Sequence, residues 1–139
     1  MEVLLKITSV QQFRDEKPET TQLVTEGTLS QEDGAWLLSY AESELTGMAG
    51  TMTTFRIEPE QITLLRSGTI ESKMVFVTGV EDRSLYDMGF GALMITVCAD
   101  TIRSDMDESG GTLDVFYSIV IEQAAAGTVE YHIKAWPQA

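Results

Sequence analysis

The chain has 139 residues, 43% of them apolar and 22% charged, and a net charge of −13 from 22 Asp and Glu against nine Lys and Arg. That length suits one domain that buries a core without metal or disulfide support, and the composition is too apolar for a disordered segment. An acidic surface with scattered basic residues excludes phosphate backbones and anionic membranes as favourable partners, so neither nucleic acid nor membrane is expected.

Period-two alternation dominates and helical spacing is scarce, which predicts an all-β fold. The first strand covers 2–11: MEVLLKITS has an acidic second residue and no long apolar run, so it reads as a strand and not as a signal peptide. QFRDEKPET at 12–20 is charged and contains Pro18, which predicts a solvated loop. Strands follow at 21–31, 35–44, 50–58, 61–67 and 70–78, punctuated by EDG, LTGMAG, EPE and SG. GVEDRSLYDMGFG at 79–91 mixes turn formers with Leu85, Tyr86 and Phe90 and reads as a loop placed to cover one mouth of a barrel. Strands at 92–103, 112–122 and 128–136 complete the chain, with DESGG and AAAG between them.

Eight or nine strands on short turns predict an antiparallel meander closed, or nearly closed, into a single β-barrel, because closure removes exposed edges. No run approaches ~20 apolar residues, so no membrane-spanning helix is expected. Cys98 is the only cysteine and has no ligand set around it, which fits a reducing cytoplasm.

Inward faces follow from the alternation. Leu113, Val115, Tyr117, Ile119 and Ile121 share one side of their strand, as do Val129, Tyr131 and Ile133. On 35–44 the corresponding face carries Trp36, Leu38, Tyr40, Glu42 and Glu44; on 50–58 it carries Thr51, Thr53, Phe55 and Ile57, and on 61–67 Ile62, Leu64 and Arg66. A turn centred between Gly47 and Met48 places Glu42 opposite Thr53, and a turn at Pro59 and Glu60 places Thr53 opposite Arg66. The same register stacks Tyr40, Phe55 and Leu64, then Leu38, Ile57 and Ile62.

Glu42, Thr53 and Arg66 then form a polar row near one end of an apolar interior. One reading is a structural ion pair that closes the core, since a buried charge survives when paired and hydrogen-bonded. The sharper reading has Arg66 gripping a carboxylate or similar group of a small ligand, with Tyr40, Tyr86 or Tyr117 supplying further hydrogen bonds. A third takes Glu42 and Glu44, two residues apart on one face, as an acid/base pair. His132 lies on the polar face with Glu130 and Lys134, and one histidine makes neither a metal site nor a triad. GMAG at 47–50 lacks the helix and the Gly-Lys-Ser/Thr ending of a phosphate loop. No metal or other cofactor is expected.

The run EGTLSQEDGAWLLSYAESELTGMAGTMTTFRIE, followed by LLRSG, SKMVF, LYDMGFG and GGTLDVFYSI, resembles the YwiB-like family of uncharacterised bacterial proteins. The resemblance is collinear over nearly the whole chain and implies a calycin, or lipocalin-like, barrel. The chain departs from the family pattern at Ala41 and at Asp87-Met88, where a Thr-Pro type of step is usual. A small-molecule binder is the leading expectation. The alternatives are an interaction module with a filled barrel, including a homodimer joined through an apolar outer stripe on 70–78, and a carboxylate-dependent hydrolase or isomerase.

Overall fold

The computed structural model describes residues 1–138 and is built almost wholly from strands. In chain order these are β1 (Glu2–Phe13), β2 (Glu19–Glu32), β3 (Ala35–Ala41), β4 (Thr51–Ile57), β5 (Ile62–Gly68), β6 (Ser72–Phe76), β7 (Glu81–Asp87), β8 (Ala92–Asp107), β9 (Gly110–Ile121) and β10 (Ala125–Pro137), with one short 3-10 turn over Glu44–Thr46. All pair antiparallel in the order β6-β5-β4-β3-β2-β1-β10-β9-β8-β7. Every strand therefore lies beside its sequence neighbours, and β1 pairs with β10 to join the two ends of the chain.

The seam falls between β6 and β7. Glu71 and Asp87 exchange both backbone hydrogen bonds at 2.9 Å, and a Val77–Val80 turn closes the other end. Between these points the Asp82 carboxylate accepts from the Val75 amide at 3.0 Å, a side chain standing in for a ladder carbonyl. The barrel is nearly closed, as expected, with ten strands rather than eight or nine.

The added strand is β7, in the segment expected to be loop. Its alternation is inverted relative to its neighbours: Asp82, Ser84 and Tyr86 are the half-buried positions, while Arg83 and Leu85 are exposed. A strand with a polar inner face gives no hydrophobic signal of the usual kind.

The register on β3 also differs from the expected one. Tyr40, not Glu42, lies opposite Thr53, so β3 is displaced by two residues against β4. The cause is the connection: Ser43 caps a 3-10 turn that ends at Gly47 in the left-handed region (φ 76°), and this compact turn uses more residues than a simple hairpin. Glu42 N–H donates to Thr51 C=O at 2.8 Å, so the displaced register continues to Glu42, which lies opposite Thr51 and not Thr53. A two-residue displacement keeps every side chain on its face, which is why the predicted inner face survives. Thr53 opposite Arg66 and Phe55 opposite Leu64 stand as predicted.

The true rows run across β3, β4, β5 and β6. They are Tyr40–Thr53–Arg66–Ser72, then Leu38–Phe55–Leu64–Met74, then Trp36–Ile57–Ile62–Phe76. The second and third rows are core, with Leu38, Phe55, Leu64 and Phe76 fully buried. Aromatic rings continue the packing toward the mouth: Phe76 lies 4.5 Å from Tyr117, Phe55 meets Tyr131 edge-on at 5.9 Å, and Tyr117 stacks with Tyr131 at 6.5 Å. One half of the barrel is thus filled, and the first row is where the packing gives way to polar groups.

Candidate functional site

The site is the Tyr40–Thr53–Arg66–Ser72 row together with Glu42, one position beyond it at the end of β3. Glu42 and Arg66 are 6% and 7% exposed, and Thr53 is fully buried. Such burial of two charges is costly unless each is satisfied.

They do not satisfy each other. No carboxylate oxygen among the described residues lies within 4.0 Å of the Arg66 guanidinium, and the ion pairs present are all on the outside, at Arg56–Glu58 and at His132 with Asp114 and Glu130. Instead Thr53 Oγ1 donates to Glu42 Oε2 at 2.5 Å, and Arg66 Nη2 donates to Tyr131 Oη at 3.2 Å. The structural ion pair is therefore corrected to two separate contacts, because the displaced register carries Glu42 away from the arginine row.

Each contact leaves something unmet. Glu42 Oε1 and Arg66 Nε are buried without a hydrogen-bond partner among the described residues, as are Ser72 Oγ and Ser84 Oγ. Buried polar atoms are nearly always paired in folded proteins, so orphans on two buried charged side chains require a cause. Ser72 stands directly opposite Arg66, and Ser84 lies between Asp82 and Tyr86 on the half-buried face of β7.

Two adjoining cavities occupy the mouth. One, of about 260 Å³, is lined by Tyr40, Glu42, Ile7, Ser9, Leu23 and Tyr131. The other, of about 360 Å³, is lined by Arg66, Tyr86, Tyr117 and Tyr131 with an apolar wall that includes Ile95 and Ile119. Thr46, Met48 and Tyr131 border both, so the 43–50 segment sits over the junction. Met48 Sδ accepts from Tyr86 Oη at 3.5 Å, a weak contact between the covering segment and the seam strand.

Burial first, and the Glu42 charge second, push the Tyr40 phenol well above its ordinary value. Burial, then Tyr131, does the same for Tyr117, and burial raises Tyr86 against the opposing pull of Arg66. These phenols are neutral donors and acceptors at physiological pH. For Arg66 burial alone acts downward, and the oxygens of Tyr131, Tyr86, Tyr117 and Tyr40 outweigh it, so the guanidinium is held above its ordinary value and stays charged.

Five of the six residues named from sequence line the two cavities, Tyr40 and Glu42 the first and Arg66, Tyr86 and Tyr117 the second, while Thr53 lies buried behind them and reaches the site through its hydrogen bond to Glu42. Glu44 does not join them. It is exposed on the 3-10 turn, so the Glu42–Glu44 acid/base pair is undone by the same turn that shifted the register. Tyr131, Ser72 and Ser84 were missed as site residues. Tyr131 reads as one more core position between Val129 and Ile133, although a buried phenol always demands a partner, and that demand was the available signal. His132 lies on the outside with Nδ1 2.7 Å from Asp114 Oδ1. Among the described residues no cluster of three or more metal-ligating side chains occurs, and no helix is long and apolar enough to cross a membrane.

The crystal structure of the ywiB protein from Bacillus subtilis superposes with a TM-score of 0.84 over 98% of this chain and 92% of that one, at 23% sequence identity, a likeness of fold. In sequence, the uncharacterized beta-barrel protein YwiB of Bacillus subtilis (strain 168) is 30% identical over 82 residues; the match spans 59% of this chain and 56% of that relative's length. Residues 5–133 match the family described as a domain of unknown function, DUF1934, and the chain belongs to that family.

Proposed function

We propose that this protein is a cytoplasmic small-molecule binder whose ligand enters the polar mouth of the barrel and is held at Arg66, in the manner of lipocalin-like barrels. One observation carries the reading: Glu42 Oε1 and Arg66 Nε, on the two charged side chains that line the cavities, are buried without a hydrogen-bond partner among the described residues. A filled structural core satisfies or replaces such groups, whereas a binding pocket keeps a few polar groups ready on an apolar wall. The cavity beside Arg66, at about 360 Å³, is within the range of small-molecule sites, which begins at about 300 Å³. The hydroxyl held by a base in the row, Thr53 on Glu42, is fully buried and lines neither cavity, so the same geometry favours binding over hydrolysis or isomerisation.

The test is a thermal-shift screen of the purified protein against a metabolite library, repeated with Arg66→Met. The reading predicts hits that stabilise the wild type and not the variant. Hits that stabilise both equally, or none at all, would remove it.

A second reading is favoured by an exposed apolar patch. Leu85 and Met94 face each other across β7 and β8 on the outside, 56% and 40% exposed, and Phe90 in the turn between those strands is 89% exposed. This patch replaces the stripe expected on 70–78, where Met74 and Phe76 turn inward and Val75 and Val77 are half-buried. A second copy of the chain is the proposed occupant. Analytical ultracentrifugation of wild type and Leu85→Asp decides it: a concentration-dependent dimer lost in the variant supports the reading, and a monomer at all concentrations rejects it.

A further inference from the structure

We infer that the ligand is a small zwitterion, bearing an ammonium group that Glu42 receives and a carboxylate that Arg66 receives, on an apolar body. The inference rests on the lumen-binding reading and narrows it to a ligand class.

Glu42 and Arg66 bring two charges to the mouth. Both side chains are more than nine-tenths buried, they carry opposite sign, and neither lies within 4.0 Å of the other's charged atoms. Each is anchored on one side only: Thr53 holds Glu42 Oε2 and Tyr131 holds Arg66 Nη2. What remains free is an acceptor, Glu42 Oε1, and a donor, Arg66 Nε. A simple anion answers the arginine and leaves the carboxylate oxygen dry; a simple cation does the reverse. Leaving a buried charged atom unpaired costs more than a neutral one, so a ligand that answers both is preferred over either monopole.

Position agrees with charge. Glu42, which carries the free acceptor, lines one cavity with Tyr40, and Arg66, which carries the free donor, lines the other with Tyr86 and Tyr117. The cavities share Tyr131 and Met48, so one molecule can reach both once Met48 moves aside. The Met48 side chain makes one long hydrogen bond, from Tyr86, and methionine side chains repack readily. The apolar wall beside Arg66, including Ile95, Ile119 and Val129, suits a hydrocarbon body and gives a strongly polar one nothing to bond.

The experiment is calorimetric titration of the full-length protein with matched probes. Leucine, methionine, phenylalanine and the spaced zwitterion delta-aminovalerate are each compared with their N-acetyl forms, which keep only the carboxylate, and their amide forms, which keep only the ammonium. At least one free zwitterion is expected to bind, and both of its blocked forms to bind at least about tenfold more weakly, the loss of one charged hydrogen bond. Glu42→Gln should bring the zwitterion down to its N-acetyl form, and Arg66→Lys, which keeps the charge but not the planar fork, should weaken it by a smaller factor.

Equal binding of an N-acetyl form and its parent would overturn the inference and make the ligand an anion, with the lumen reading intact. Equal binding of an amide form would overturn it in favour of a cation. If no zwitterion binds while the metabolite library yields Arg66-dependent hits, the inference alone fails; if the library is also silent, both fail.

Discussion

Arg66 Nη2 donates to Tyr131 Oη at 3.2 Å across 65 residues of sequence, joining β5 to β10 through the barrel mouth. Tyr131 also stacks on Tyr117 and meets Phe55 edge-on, so its ring belongs to the core and its hydroxyl to the site. Tyr131→Phe removes the hydroxyl and keeps the ring. The expected cost is about 1–2 kcal/mol in urea unfolding, because the guanidinium loses its one side-chain acceptor while the packing is preserved. No change in the urea midpoint would show that the hydrogen bond is idle.

Thr53 is fully buried and its hydroxyl is the donor that holds Glu42. Thr53→Val keeps the volume and removes the donor, leaving the carboxylate with the neighbouring Tyr40 phenol alone. A loss of about 1–3 kcal/mol is predicted, and the double variant Thr53→Val, Glu42→Gln should lose less than the two single changes together. Simple additivity in that cycle would mean that the two side chains do not act as a unit.

On the outside, His132 is raised above its ordinary value, first by the hydrogen bond to Asp114 and then by Glu130, while its slight burial acts the other way. A raised folded value means that the proton binds more tightly in the folded state. The stabilisation is therefore complete below about 6.5, the ordinary value, and disappears as pH rises through the raised folded value. The pair is exposed, so the effect is well under about 1 kcal/mol. Comparing urea midpoints of wild type and Asp114→Asn across this window should show a difference at the acid end that vanishes at the alkaline end; a constant difference would contradict the assignment.

Two glycines separate backbone strain from crowding. Gly68 ends β5 at φ 126°, and a Cβ there would run into the carbonyl of Gly50 and press on Thr51. Gly79 lies at φ 78° with open space around it. Gly68→Ala should cost more than about 2 kcal/mol, from strain plus collision with backbone that cannot yield, whereas Gly79→Ala should cost about 1–2 kcal/mol from strain alone. Equal losses would mean that the closure of β4 on β5 below the covering segment is softer than described.

The inner and outer faces were readable from alternation, and so was the inward trio, because strand parity survives even when register does not. What alternation could not show was the depth of each residue along the barrel. That depended on how many residues the 42–50 connection consumes, and the capping by Ser43 with Gly47 in the left-handed region is a local choice that the pattern TGMAG leaves open. The two-residue displacement moved Glu42 past the row and turned an expected ion pair into two half-satisfied charges. β7 escaped for a related reason: its inner face is polar where it borders the site, so the periodicity that reveals core strands is reversed there. In both places sequence reasoning failed where polar groups replace core packing, at the mouth of the barrel.

The central claim is that Arg66 is kept for a ligand and not for the fold, and urea unfolding of Arg66→Met in the absence of any ligand tests it most directly. A guanidinium that has no acidic partner and an orphan Nε among the described residues costs stability to bury, so the variant is predicted to be as stable as the wild type or more so. A loss of about 3–5 kcal/mol, the cost of breaking a buried ion pair, would contradict the account.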